Sequence, residues 1–173
     1  MNLILFSGGV ESTLLLNKCT SSDLIISIQG MYGNDKTFTD NSQKILDYYH
    51  LKRQIVTVDI PHSSGGVHQL RYFIPIIMLI ANTYPIKKVL LGRNKQDINE
   101  RVLKMVDEGQ KAINAIFPDI IIDHPYDHLT KQEQWDRIPE DILKYVSSCI
   151  YDNNCGECYK CKEKIYSISP KGL

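Results

Sequence analysis

The sequence predicts an α/β fold, a mostly parallel sheet with helices on both faces and a small four-cysteine element at the C-terminal end. Three observations predict it. Short runs rich in Ile, Val and Leu alternate with helix-compatible stretches as far as Ile122, the first run ends at a glycine pair, and four of the five cysteines crowd between Cys149 and Cys161. Strand–helix alternation favours a parallel sheet, because each crossover helix must cover a face of the sheet it joins.

Taken in order, Leu3-Ile4-Leu5-Phe6 reads as a buried strand running into a tight turn at Ser7-Gly8-Gly9. Thr13 to Cys19 then reads as helix. Leu24 to Ile28 and Gln54 to Ile60 read as strands, with a helix-compatible stretch from Asp40 to His50 between them. Tyr72 to Tyr84 suits a helix with Pro75 in its first turn, and Lys88 to Leu91, ending at Gly92, suits a fourth strand. Asp97 to Ile116 carries Val102, Met105, Val106, Ala112, Ile113 and Ile116 at roughly helical spacing, and Asp119 to Ile122 is the fifth strand. Ligands of such sheets bind at the carboxyl ends of strands, so the loops after Phe6, Ile28 and Leu91 are expected to line one site. From Asp123 on, short helix-compatible segments broken by Pro125 and Pro139 lead into the cysteines. The expected division is an α/β domain over 1–130 and a helical appendage of that domain over 131–173.

At 173 residues, with 43% hydrophobic and 23% charged, the chain fits one compact domain. Lysine plus arginine and aspartate plus glutamate both total 20, so no overall charge draws the chain to a polyanion and nucleic acid is not expected as a partner. The apolar stretch from Phe73 to Ala81 is too short to span a bilayer, and no basic region with a cleavage site opens the chain. A cytoplasmic protein without a membrane partner is expected.

The loop Ser7-Gly8-Gly9-Val10-Glu11-Ser12 places glycines between a buried strand and a helix start, where backbone can approach a ligand and N–H groups face outward. Ser7 and Ser12 add hydroxyls at its two ends, as in a nest for anionic oxygens. A sharp turn with a serine cap explains the same six residues equally well. The loop has neither the lysine of a Walker A motif nor the spacing of a dinucleotide fingerprint.

Cys149-x5-Cys155-x2-Cys158-x2-Cys161 offers four soft ligands, with Gly156 relieving the turn. Four thiolates suit a closed, structural Zn²⁺ site. A redox pair would leave two cysteines over, whereas an iron–sulfur cluster is compatible with the spacing.

The loop resembles the signature of the PP-loop ATP pyrophosphatases, Ser-Gly-Gly-x-Asp-Ser, with Glu11 in place of the aspartate. Together with Ser148-Cys149 and Cys155-Gly156-Glu157-Cys158-Tyr159-Lys160-Cys161, it resembles the 7-cyano-7-deazaguanine synthase family of that group. Between them, Tyr32-Gly33-Asn34, Arg71, Gly92-x-Asn94-x-Gln96-Asp97, His124-Pro125 and Thr130-Lys131 are similar to family segments in the same order. The family's Tyr-Pro-Asp-Cys segment is replaced by Ile98-Asn99-Glu100-Arg101, and the chain is shorter between Asp59 and Arg71.

The resemblance implies an adenine nucleotide alpha hydrolase-like fold and a ligase of queuosine biosynthesis. Such a ligase uses ATP and Mg²⁺ to convert 7-carboxy-7-deazaguanine and ammonia into the nitrile, releasing AMP and pyrophosphate. It implies catalytic roles for Ser7, Ser12, Arg71, Asp97 and Lys131. ATP would lie on Ser7, Gly8, Gly9, Val10, Glu11 and Ser12, with adenine by Ile28 and Tyr32, and Zn²⁺ on Cys149, Cys155, Cys158 and Cys161. Asn94 would join Arg71, Asp97 and Lys131 around the acceptor, and a homodimer would be in keeping with the family. A PP-loop enzyme adenylating another carboxylate, in protein or nucleic-acid modification, and a non-catalytic nucleotide-binding module are the competing readings.

Other residues are expected to be structural. Pro125 breaks the helix that would place His124 and His128 on one face, Trp135 reads as a packing anchor, and Cys19 reads as core.

Overall fold

The computed structural model describes residues 1–30, 36–58, 66–147, 156, 157, 161, 162 and 164. Five strands, β1 (Asn2–Leu5), β2 (Leu24–Gly30), β3 (Arg53–Val58), β4 (Lys88–Leu90) and β5 (Ile121–Asp123), form one parallel sheet in the order β3-β2-β1-β4-β5. The chain winds outward from β1 to β3, then crosses back to build β4 and β5 on the other side. This reversal makes the carboxyl ends of β1 and β4 the topological switch point, where adjoining loops part and leave a crevice.

Six α-helices are described: α1 (Val10–Leu15), α2 (Lys36–Tyr48), α3 (Gly66–Ala81), α4 (Glu100–Asn114), α5 (Lys131–Trp135) and α6 (Glu140–Leu143). Side chains alternate across the sheet with period two, so β1 feeds two cores. Ile4 and Phe6 pack with Leu14, Leu15, Ile45 and Leu46 from α1 and α2. Leu3 and Leu5 pack with Ile76, Ile77, Ile80 and Ile113 from α3 and α4. These are the three layers the alternation predicts.

Boundaries differ from the sequence reading in instructive places. α1 starts at Val10, three residues before the expected start, and Leu16–Lys18 closes it as a 3₁₀ turn. α3 starts at Gly66 and holds Pro75 inside it, where the ring has no N–H for the Arg71 carbonyl. Apolar periodicity dates that helix too late, because its first turns carry few apolar residues. The expected single helix from Asp97 is split: Lys95–Asp97 is a 3₁₀ turn and α4 starts anew at Asn99, whose side chain accepts from Val102 N at 3.1 Å. Gly109 lets α3 approach α4, since a Cβ there would sit 2.7 Å from Ile74 Cδ1.

The described residues from 131 to 147 pack on the helical layer of α1 and α2. Trp135, Ile138, Ile142 and Val146 are buried in the same cluster as α1 and α2. Among the described residues, no helix is long and apolar enough to cross a membrane.

Candidate functional site

Residues 7–12 leave β1 at the switch point. Gly8 has φ of +77°, a left-handed conformation that explains a glycine there by itself, whereas Gly9 is extended at φ −77°. A second glycine is therefore not demanded by the backbone.

The loop is closed by its serines. Ser12 Oγ donates to Gly9 O at 3.1 Å, accepts from Ser7 N at 3.2 Å and lies 3.1 Å from Ser7 Oγ. Both glycine carbonyls are turned inward to partners, Gly8 O accepting from Ser147 N at 2.9 Å and Gly9 O from Thr13 N at 2.9 Å. Within the loop, the Gly9 N–H also donates to Ser7 Oγ at 3.4 Å, so the serine hydroxyls and both glycine carbonyls hold its shape. The serine-cap alternative does not describe the contact made: Gly9 is the N-cap of α1, with no side-chain cap bond, and Ser12 lies inside the helix.

Gly92, directly after β4, presses against this loop. A Cβ at Gly92 would lie 2.7 Å from Glu11 C, 2.8 Å from Glu11 Cβ and 2.8 Å from Ser12 N. The two strand ends thus meet backbone to side chain, and Glu11 reaches across the seam. Glu11 Oε1 accepts from Asn94 Nδ2 at 3.2 Å and lies 3.6 Å from Lys131 Nζ. Its other oxygen faces the loop, 3.5 Å from where a Gly9 Cβ would be.

Lys131 is the first residue of α5, held by the capping box of Thr130 and Glu133, and its N–H donates to Gln96 Oε1 at 3.1 Å. Asp97 spends its carboxylate on the turn: Oδ2 accepts from Asn94 N at 3.3 Å. Ser7, Ser12, Glu11, Asn94 and Lys131 are therefore brought together. Ile28 lies in β2 and packs on the α3 face of the core. Arg71 lies in α3, but its side chain, Tyr32, Cys149, Cys155 and Cys158 lie outside the described residues. Cys161 is described and buried, and among the described residues no group of three or more His, Cys, Asp or Glu is placed to hold a metal.

Sequence reasoning missed a polar cluster at the ends of β4 and β5. Arg93, 9% exposed, pairs with Asp127 at 2.7 Å through Nη2, and its Nε and Nη1 have no partner among the described residues. His124 Nδ1 lies 3.2 Å from the carbonyl of Leu91, which can only accept, so Nδ1 carries the hydrogen. Burial, then the nearby Arg93 charge, push the His124 pKa below its ordinary value, against the opposing effect of that hydrogen bond. His124 is thus hydrogen-bonded to the backbone at the end of the sheet. An arginine three residues past the fourth strand, with an aspartate four residues past the fifth, was the available signal.

Cys19 behaves as expected. Its thiol donates to Leu15 O at 3.4 Å, and burial, reinforced by the Asp23 charge, pushes its pKa up to about 12.

No family model and no curated protein matches this chain. Among solved structures it is similar to the predicted subunit of a tRNA methyltransferase from Methanocaldococcus jannaschii DSM, at 16% identity over 78% of this chain and 71% of that chain, with a TM-score of 0.45. At that distance the likeness carries no functional argument.

Proposed function

We propose that this chain binds ATP with its phosphates on Ser7 to Ser12 and cleaves it between the α and β phosphates to activate a carboxylate. The observation that carries the reading is the position of this glycine loop, with both its carbonyls engaged internally, at the switch point where α/β sheets take ligands. Adenine sits beside the end of β2, near Ile28 and Tyr32.

In the reaction, an acceptor carboxylate oxygen attacks the α phosphorus, the bond to the β phosphate breaks, and pyrophosphate leaves with the electron pair. Ammonia then attacks the acyl carbon and displaces AMP, giving the amide. A second ATP activates the amide oxygen, and loss of AMP and a proton gives the nitrile. 7-Carboxy-7-deazaguanine is the acceptor named by the motif resemblance. The chain contributes position and charge: loop N–H groups hold the leaving phosphates, and Lys131 and Arg71 neutralise anionic oxygens. Mg²⁺ arriving with the triphosphate would supply further neutralisation, and the Glu11 oxygen facing the loop is of the hard type it takes. Four thiolates, Cys149, Cys155, Cys158 and Cys161, would hold one structural Zn²⁺.

A different carboxylate is the second reading. It is favoured by Asn99, which stands where the family has its Tyr-Pro-Asp-Cys segment and here serves as the cap of α4. Product analysis after incubation with ATP, magnesium, ammonium and 7-carboxy-7-deazaguanine tests the proposal. AMP with nitrile supports the first acceptor, AMP only with another carboxylate supports the second, and ADP as the nucleotide product contradicts both.

A further inference from the structure

We infer that Asn94 is a positioning residue, which fixes the Glu11 carboxylate over the phosphate loop, and that the turn from Asn94 to Asp97 holds both members of the Glu11–Lys131 pair. The inference rests on the nucleotide reading for its consequence but not for its geometry. Asn94 is 3% exposed. Its Oδ1 accepts from Gln96 N at 2.9 Å and Asp97 N at 3.2 Å, and its Nδ2 donates to Glu11 Oε1 at 3.2 Å. This network assigns the amide orientation: a flipped amide would turn its NH₂ on two N–H donors and its oxygen on a carboxylate.

The same turn reaches the other member of the pair. Gln96 Oε1 accepts from Lys131 N at 3.1 Å, and Lys131 Nζ stands 3.6 Å from the Glu11 oxygen that Asn94 holds. Glu11 is one methylene longer than an aspartate, so its carboxylate has one more rotatable bond to fix and loses orientation unless something holds it. Asn94 supplies that hold. With Oε1 engaged at the turn, Oε2 is left toward the loop, 3.5 Å from the Gly9 Cβ position. Asn94 thus acts through Glu11 rather than on the acceptor.

Asn94→Asp separates positioning from capping. An aspartate keeps the oxygen that caps the turn, since Asp and Asn are equally good caps, but sets a second anionic oxygen against Glu11 Oε1. Asn94→Ser keeps a capping oxygen and removes the donor without the repulsion. Urea unfolding of the ligand-free protein, in a cycle with Glu11→Gln, should show Asn94→Asp lowering the midpoint with Glu11 present and much less with Glu11→Gln. Titration with Mg-ATP should show both Asn94 variants binding at least about tenfold more weakly than wild type, the change expected from losing a hydrogen bond to a charged group. Equal midpoints in both backgrounds would overturn the inference, as would wild-type affinity in a folded Asn94→Asp. If the wild type binds no ATP while the unfolding cycle shows coupling, the nucleotide reading falls and the positioning of Glu11 by Asn94 stands.

Discussion

At the residue scale, the two loop glycines have separable reasons to be there. Gly8 needs its positive φ, while Gly9 is in ordinary extended backbone with its nearest neighbours 3.4 Å from a Cβ position. Gly9→Val should therefore fold and lose ATP binding, because what the side chain blocks is the ligand. Gly92→Ala should behave differently. Its Cβ would meet backbone atoms of Glu11 and Ser12, which cannot swing aside, so a loss of about 1–3 kcal/mol is expected in urea unfolding. His124 gives a prediction with a sign. Its folded pKa lies below the unfolded value near 6.5, so its contribution is fully present above pH 6.5 and is lost as pH falls from there toward the depressed value. Wild type should lose stability as pH falls below about 6.5, and His124→Gln should flatten that limb; parallel curves would show that the histidine does not titrate with unfolding. The glycine pair and Glu11 were legible in the sequence, but the partner of Glu11 was not. Asn94 is 83 positions away, and only the meeting of β1 with β4 brings the two together.

At the scale of elements, strands were read well and helix starts poorly, for a physical reason. Buried parallel strands are almost continuous apolar runs, and Leu3 to Phe6 or Lys88 to Leu91 announce themselves. Helix starts are set by caps and turns instead. Asn94 and Asn99 both cap, and the break between the 3₁₀ turn and α4 lies inside what periodicity reads as one helix. α5 has only five residues and depends on its capping box, in which Thr130 Oγ1 accepts from Glu133 N at 3.2 Å and Thr130 N donates to Glu133 Oε2 at 2.7 Å. Thr130→Ala should cost about 1 kcal/mol in unfolding and also weaken Mg-ATP binding, because the freed turn carries Lys131. A variant that loses stability but binds as wild type would show that Lys131 does not reach the phosphates.

At the scale of the whole molecule, the sheet order makes one place out of loops from distant parts of the chain, and Ser147, far along the chain, is tied to that place. Ser147 N donates to Gly8 O, and Lys164 Nζ donates to Val146 O at 2.6 Å, so described residues on both sides of the cysteines meet one residue from the loop contact. The alternation of strands and helices made the layers legible, whereas this convergence depends on short polar contacts that leave no periodic trace. If the four cysteines hold Zn²⁺, purified protein should contain one zinc per chain, and stripping it with a chelator should lower both the melting temperature and ATP affinity. A folded, metal-free sample with unchanged affinity would separate the two regions. The account's central claim is that the loop from Ser7 to Ser12 holds a triphosphate, and an equilibrium titration of Mg-ATP into wild type and folded Gly9→Val tests it most directly. Saturable binding to wild type that is abolished by the substitution is the predicted result; equal binding to both proteins, or none to wild type, would contradict it.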